Sequence, residues 1–162
     1  MTESIEGRQE HHEYGEGYRL LHQLEQSGEY VFHGSPHGDL AELKPMQATI
    51  AVDGQKHDDG PEAIAASPFA DFAIFRALTR DINVDGNTSF GTKNDGTPQM
   101  SASKSIIDSI KGQTGYVYVF PKSTFSLYGD EGYEWRSAES QKPERIIKVT
   151  DRDFPQDVSV IT

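Results

Sequence analysis

The chain has 162 residues, of which 35% are hydrophobic, and its formal net charge at neutral pH is -11. This length favours one domain with a sizeable core, because a chain of this size buries about 70% of its unfolded surface. The absence of cysteine excludes disulfides, thiolate zinc sites and a cysteine nucleophile.

The first 16 residues are rich in charge and offer only Ile5 and Tyr14 as apolar anchors. Such a segment buries too little surface to offset its ordering entropy, so we expect a flexible acidic N-terminal arm over residues 1–16 and a single domain over residues 17–162. No apolar run approaches the roughly 18 residues of a membrane span, and a signal-peptide pattern is not evident. We therefore expect a cytoplasmic protein without membrane association.

The first predicted elements are a helix and two short strands. Three leucines on one face predict a helix over residues 18–27, and Gly28 is suited to the position after its end. Short apolar runs predict strands over residues 30–33 and 63–66. The charged, glycine-containing stretch between them, residues 53–61, predicts a loop.

A second helix is predicted directly after the second strand. Ser67 is suited to be its N-cap and Pro68 its first residue, and apolar spacing continues to a helix end near Arg80. Glycine, asparagine and proline in residues 81–100 predict a long loop, which in a compact domain is usually functional or mobile. A short third helix is predicted over residues 101–111.

The C-terminal third is dominated by strand patterns. The β-branched and aromatic run at residues 115–120 predicts a buried central strand. Further strands are predicted over residues 133–139, 145–150 and 158–162. Because most strands follow the helices, the order favours an α+β fold with a split, mostly antiparallel sheet and two or three flanking helices.

One stretch partly matches a calcium-binding loop. Asp81, Asn83 and Asp85 have the spacing of its first three ligands, with Gly86 at the sharp turn. However, Thr92 occupies the position of the bidentate glutamate. A plain turn is therefore the favoured interpretation, with calcium binding kept as an alternative.

The other candidate metal and catalytic motifs are weaker. Neither the histidine pair at residues 11–12 nor the sequence His57-Asp58-Asp59 has the fixed spacing of a known metal site, so we predict no metal. The chain contains no G-x-S-x-G nucleophile elbow and no phosphate-binding glycine loop. These absences argue against a serine hydrolase with a nucleophile elbow and against a protein that binds phosphate through a glycine loop.

The most informative motif is His33-Gly34-Ser35 at the end of the first strand. By itself it also fits a strand that ends in a turn. Physically it is suited to a flat polar ligand, because a glycine lets the backbone approach closely enough to pair with a carboxamide. The neighbouring imidazole and hydroxyl could then hold sugar hydroxyls.

With its context, this motif resembles the first motif of ADP-ribosyltransferases of the diphtheria-toxin and poly(ADP-ribose) polymerase type. A leucine-x-x-leucine-x-proline passage follows at residues 40–45, as in that group. The strand and helix at residues 63–73 resemble its second motif. Residues 133–137, which contain Glu134, resemble the third motif, and residues 81–114 have no counterpart.

The resemblance implies an ADP-ribosyltransferase-like fold that uses NAD as a substrate. It implies that His33 bonds the nicotinamide ribose, that Gly34 pairs with the carboxamide and that Ser35 supports the same site. Glu134 would be the catalytic acid or base, because a carboxylate there stabilises positive charge that develops on the ribose. The alternative for Glu134 is a surface strand residue.

The chain departs from the group at the second motif, where a tyrosine normally stacks on the nicotinamide. Ile64 or Ala65 stands at that position, and Phe69 or Tyr128 is the candidate substitute. A non-catalytic protein-interaction module on the same scaffold is therefore the alternative function.

The charge balance bears on the acceptor. Between residues 30 and 150 the arginines are Arg76, Arg80, Arg136 and Arg145, and the net charge is strongly negative. An RNA substrate needs clustered basic side chains, so a protein or small-molecule acceptor fits better than nucleic acid.

Overall fold

The structure, a computed structural model, describes residues 12–161 of the chain. Within this range three α-helices and eleven strands form an α+β fold, in which one strand pair is parallel and the others are antiparallel. The helices are α1 Glu16–Gln26, α2 Ala70–Thr79 and α3 Lys104–Asp108. The strands are β1 Tyr30–Ser35, β2 Thr49–Val52, β3 Gln55–Asp58, β4 Ile64–Ala66, β5 Thr88–Thr92, β6 Pro98–Ser103, β7 Thr114–Pro121, β8 Ser126–Leu127, β9 Trp135–Ser137, β10 Arg145–Thr150 and β11 Ser159–Ile161.

The central sheet is split. Strands β1, β7 and β10 form one part with β7 in the middle, and β4, β9 and β8 form another with β9 in the middle. The two parts meet at a single bridge, where the backbone groups of Phe32 and Ser67 exchange hydrogen bonds of 2.7 and 2.9 Å. Since β1 and β4 run antiparallel and pair nowhere else in residues 12–161, they diverge beyond this bridge.

Two apolar clusters cover the two faces of the β1–β7–β10 sheet. Helices α1 and α2 pack on one face through Leu21 of α1 and through α2, in which every residue except Asp71 and Arg76 is buried. The opposite cluster joins Tyr118 and Phe120 of β7 to Ile64 of β4. The alternation of side chains along β7 thus serves two cores, as its aromatic and β-branched sequence predicts.

Helix α2 approaches the sheet closely at two glycines. A Cβ atom on Gly34 would lie 2.0 Å from the carbonyl oxygen of Ala73, and one on Gly115 would lie 2.5 Å from that of Ala77. These contacts are backbone against backbone, so neither strand position tolerates a side chain. The small residues of α2 and the two glycines therefore determine how closely the helix packs against the sheet.

The helix starts depend on residues that are distant in sequence. Helix α2 begins at Ala70, two residues after the predicted start, and the carboxylate of Glu25 in α1 accepts a hydrogen bond from the Ala70 N–H. The N–H of Tyr18 in α1 similarly donates to the buried carboxylate of Asp153. Ser67 only caps the turn before α2, by accepting from the Phe69 N–H.

The predicted loop at residues 53–61 was wrong in part, because β3 lies within it and forms a hairpin with β2. Asp53 and Gly54 both have positive φ, 52° and 78°. Two such residues in succession make a type I′ turn, whose twist matches that of the paired strands. The Asp-Gly pair was the sequence signal for this hairpin.

The predicted loop at residues 81–100 was also wrong in part, since β5 and the first half of β6 lie there and form a second hairpin. The third helix is shorter than predicted, Lys104–Asp108 instead of residues 101–111. The start of the predicted helix belongs to β6, where Met100 and Ala102 alternate as buried residues with more exposed polar neighbours.

Other predictions were confirmed. The first helix is present with Gly28 at φ 73°, and β7 and β10 cover the predicted strands. Of the predicted arm, residues 1–11 lie outside the described part, while Tyr14 stacks on Tyr18 with ring centroids 3.5 Å apart. No helix in residues 12–161 is long and apolar enough to cross a membrane.

Candidate functional site

Three of the four predicted site residues lie where the sheet splits. His33 and Gly34 directly follow the Phe32–Ser67 bridge on β1. On the other side of β4, Ala66 pairs with Trp135, which places Glu134 level with Ser67. His33 and Glu134 are thus about two strand spacings apart, about 10 Å between their backbones.

The ring of His33 spans the gap between the diverging strands. Its Nδ1 lies 2.7 Å from the carbonyl oxygen of Ala65 and donates to it, because a carbonyl only accepts. This bond leaves Nε2 as the free nitrogen. Burial lowers the pKa of His33, and together with the charges of Arg80 and Arg76 it outweighs the hydrogen bond to Ala65, which raises the pKa. The ring is therefore neutral near pH 7, and its Nε2 is a hydrogen-bond acceptor.

Gly34 turns its backbone groups into the same gap. Successive strand residues direct their N–H and C=O groups to alternate sides, and Phe32 directs its groups to Ser67. Gly34, two residues later, faces the same way, towards Ala65. The carbonyl of Ala65 is taken by His33, so Gly34 has no strand partner on that side among the described residues. The gap thus presents a backbone donor and acceptor side by side.

Ser35 has a local role in the structure. It is buried, and its hydroxyl oxygen accepts a hydrogen bond of 3.1 Å from the N–H of His37. The hydroxyl of Tyr118 holds the same turn by donating to the carbonyl of His37 at 2.6 Å. Ser35 therefore fixes the turn that follows the gap.

Glu134 belongs to a charged group around the buried Arg136. Its Oε2 accepts from the Nε of Arg136 at 2.6 Å, and the same guanidinium contacts the carboxylate of Asp59 at 3.2 Å and its carbonyl at 2.8 Å. Arg136 is 8% exposed. These bonds fix the orientation of Glu134, and its Oε1 accepts no hydrogen bond from a described residue.

Each candidate substitute for the missing aromatic residue already contacts another side chain. The guanidinium carbon of Arg136 lies 3.5 Å from the centroid of Tyr128, so one face of that ring is covered. Phe69 packs edge-to-face on Phe72 at the core. Ile64, one of the two positions that lack the aromatic, is buried in the smaller core, and Ala65 is exposed.

Four residues beside the gap were not identified as a group from the sequence. Arg76 and Arg80 lie one turn apart on α2, and the Arg76 guanidinium is 5.6 Å from the ring centroid of Phe90 in β5. Phe90 also contacts Tyr133, which precedes Glu134. A charged residue between Phe75 and Ala77, in the apolar middle of the helix, was the available signal for Arg76.

The calcium alternative does not match the observed loop. Gly86 lacks the positive φ of the sharp turn in a calcium loop, and its neighbours Ser103, Ser105 and Ile106 explain the need for a small residue there. Strand β5 follows it where that motif has a helix. No group of three or more acidic or histidine side chains within residues 12–161 is arranged to hold a metal ion.

Two cavities lie away from the sheet split. One of about 390 Å³ is bordered by Glu29, Tyr30, Pro121, Lys122, Ser123 and Glu144. The other, of about 370 Å³, is bordered by His12, Ile107, Ile110, Lys111, Asp151, Arg152, Phe154 and Gln156. Neither contains a residue of the gap. We place the candidate site at the split because oriented polar groups from separate segments converge there.

Comparison of the chain with family models, curated proteins and solved structures finds no match.

Proposed function

We propose that the protein is a NAD-dependent ADP-ribosyltransferase with an ADP-ribosyltransferase-like fold. The observation that supports this best is the gap between Gly34 and Ala65. It combines a backbone N–H and C=O with a neutral imidazole of defined tautomer. A carboxamide needs one acceptor and one donor in this arrangement, and an adjoining sugar hydroxyl can donate to the imidazole.

In this proposal Gly34, His33 and Glu134 have defined tasks. The backbone of Gly34 pairs with the nicotinamide carboxamide, and Nε2 of His33 accepts from a ribose hydroxyl. The free Oε1 of Glu134 stabilises the positive charge that develops on the ribose as the bond to nicotinamide breaks. Nicotinamide leaves with the electron pair of that bond, the acceptor bonds to the ribose carbon, and Glu134 takes the acceptor's proton.

The acceptor is proposed to be a protein or a small molecule. Of the two buried or half-buried arginines near the gap, Arg136 is already paired with two carboxylates. This leaves few cations for the phosphates of a nucleic acid, whose binding depends on many such contacts.

Replacing Glu134 with glutamine tests the catalytic assignment. Because glutamine can still accept from Arg136, and Asp59 remains in place, we expect a stability loss below about 1.5 kcal/mol. NAD binding should persist, while transfer and NAD hydrolysis should fall by about 10² to 10³-fold. Glu131→Gln is the matched control, since Glu131 is exposed in the same segment. Unchanged turnover in Glu134→Gln would remove this residue from the mechanism.

The second candidate function is a binding module that holds its ligand without turnover. The observation in its favour is the contact of Arg136 with Tyr128, which covers one face of a ring that could otherwise stack on nicotinamide. NAD binding that depends on His33, with no nicotinamide released over hours, would support this function.

A further inference from the structure

Arg76 and Arg80 lie on the side of α2 that borders the candidate site. The same helix stripe carries Phe72, which contacts both Phe90 and Tyr133. Side chains on a helix lean towards its N-terminus. The two arginines are therefore directed towards the end of α2 that carries Phe72. The Arg76 guanidinium lies over the ring of Phe90 in β5, and that ring in turn contacts Tyr133 before β9.

The positive charge of Arg76 is not neutralised by a direct partner. The side chain is half-buried, and it makes no ion pair or hydrogen bond with another residue in the described range. Burial lowers the pKa of Arg76, the nearby charge of Arg80 lowers it further, and only the more distant Glu134 opposes this. A half-buried arginine without a partner costs stability, so an anionic ligand would relieve this cost.

The charge of Glu134 acts on Arg76, but the two side chains form no ion pair. Glu134 already accepts from Arg136 at 2.6 Å, and Asp59 binds the other side of that guanidinium. Arg76 and Arg80 therefore place two positive charges one helical turn apart, and neither forms an ion pair with a carboxylate of a described residue. Arginine side chains hold phosphate oxygens with paired hydrogen bonds, which is the geometry that a diphosphate offers.

We propose that Arg76 and Arg80 form an anion subsite that binds the diphosphate of a dinucleotide whose other end occupies the gap at His33. The identity of the ligand as a dinucleotide rests on the function proposed above, whereas binding of a diphosphate group does not. Phe90, whose ring lies under the Arg76 guanidinium, borders this subsite.

Inorganic pyrophosphate is the probe that tests the subsite by itself. Calorimetric titration of the full chain at constant ionic strength should show binding, and Arg80→Gln should weaken it at least about tenfold. Arg145→Gln is the matched control, because Arg145 is exposed on the edge strand β10, and it should bind as the wild type does. Equal affinity in Arg80→Gln and wild type, or no binding at millimolar pyrophosphate, would overturn the proposal.

Arg76→Met gives a second readout that a structural role would not produce. The variant removes an unpaired charge and keeps the length of the side chain, so its unliganded melting temperature should equal or exceed that of the wild type. Its pyrophosphate binding should be lost. A lower melting temperature with retained binding would show that Arg76 serves the fold alone.

Titrations with NAD distinguish a failure of the anion subsite from a failure of the proposed transferase function. If NAD binding requires His33 but is the same in Arg80→Gln, the subsite is refuted and the transferase proposal stands. If pyrophosphate binding requires Arg80 but NAD does not bind, the subsite stands and the transferase proposal is refuted.

Discussion

Replacing Gly34 with alanine should destabilise the protein strongly, because the new methyl group would meet the backbone of α2. It would lie 2.0 Å from the carbonyl oxygen of Ala73 and 2.8 Å from the amide nitrogen of Ala77. An ordinary contact begins near 3.4 Å, so the helix would have to move by about 1.4 Å. Overpacking typically costs about 1 to 3 kcal/mol, and we expect the upper end because backbone atoms cannot change rotamer.

The melting temperature reports this cost. A loss of about 3 kcal/mol corresponds to a decrease of about 6 to 12 °C in a domain of this size. Gly91→Ala is the matched control, since Gly91 is also a strand glycine and a Cβ there meets nothing within 4 Å. It should change stability by less than about 0.5 kcal/mol. Equal melting temperatures for the two variants would refute the claim that α2 rests on Gly34.

Two further predictions concern charged contacts. Burial lowers the pKa of His22, but its hydrogen bond to Asp71 and the charges of Asp71, Glu25 and Asp157 outweigh this and raise it. The stabilisation from His22 is therefore complete below pH 6.5 and is lost as the pH rises through the raised value. The difference in melting temperature between wild type and His22→Gln should shrink from pH 6 to pH 8. Separately, Arg136→Met should cost about 2 to 3 kcal/mol, because it leaves two partly buried carboxylates without their partner.

A specific result would contradict each of these two predictions. For His22, a difference that stays constant or grows with pH would contradict the assigned pairing with Asp71. For Arg136, the control is Arg145→Met at an exposed site, and chemical denaturation of both variants measures the two costs. Equal stability of Arg136→Met and wild type would show that the charged group around Arg136 adds nothing to the fold.

The sequence predicted best where periodicity and burial agree. The strand at β7 is apolar on both faces because each face packs on a core, and the leucines of α1 occupy a single face. It predicted less well where small polar residues form strands. The serines, glycine, proline and alanine of β5 and β6 have little intrinsic strand preference, and the pairing of the two strands with each other decides their conformation.

Tertiary contacts also moved the ends of the helices. Serine and proline suggest a local start for α2, yet the Ala70 N–H is capped by Glu25, which lies in another helix. A carboxylate 45 residues away cannot be found from local spacing. Likewise, the N–H of Tyr18 in α1 donates to the buried Asp153, which local spacing could not identify either.

Part of the candidate site was predictable and part was not. The His33-Gly34-Ser35 motif and Glu134 were identified from residue type and order, but their arrangement depends on one bridge between β1 and β4. From the sequence alone, only the number of arginines could be compared with the net charge of the chain. The fold instead places Arg76 and Arg80 together on α2, where local charge matters more than the sum.

The most direct test of the central claim is a titration of the protein with NAD, followed by thermal shift and calorimetry. A ligand at a hundred times its Kd adds about 2.7 kcal/mol, which raises the melting temperature by about 5 to 11 °C here. We predict this shift for wild type and for His37→Ala, an exposed neighbour, and its loss in His33→Ala. No shift at millimolar NAD, or the same shift in His33→Ala, would contradict a NAD site at the split of the sheet.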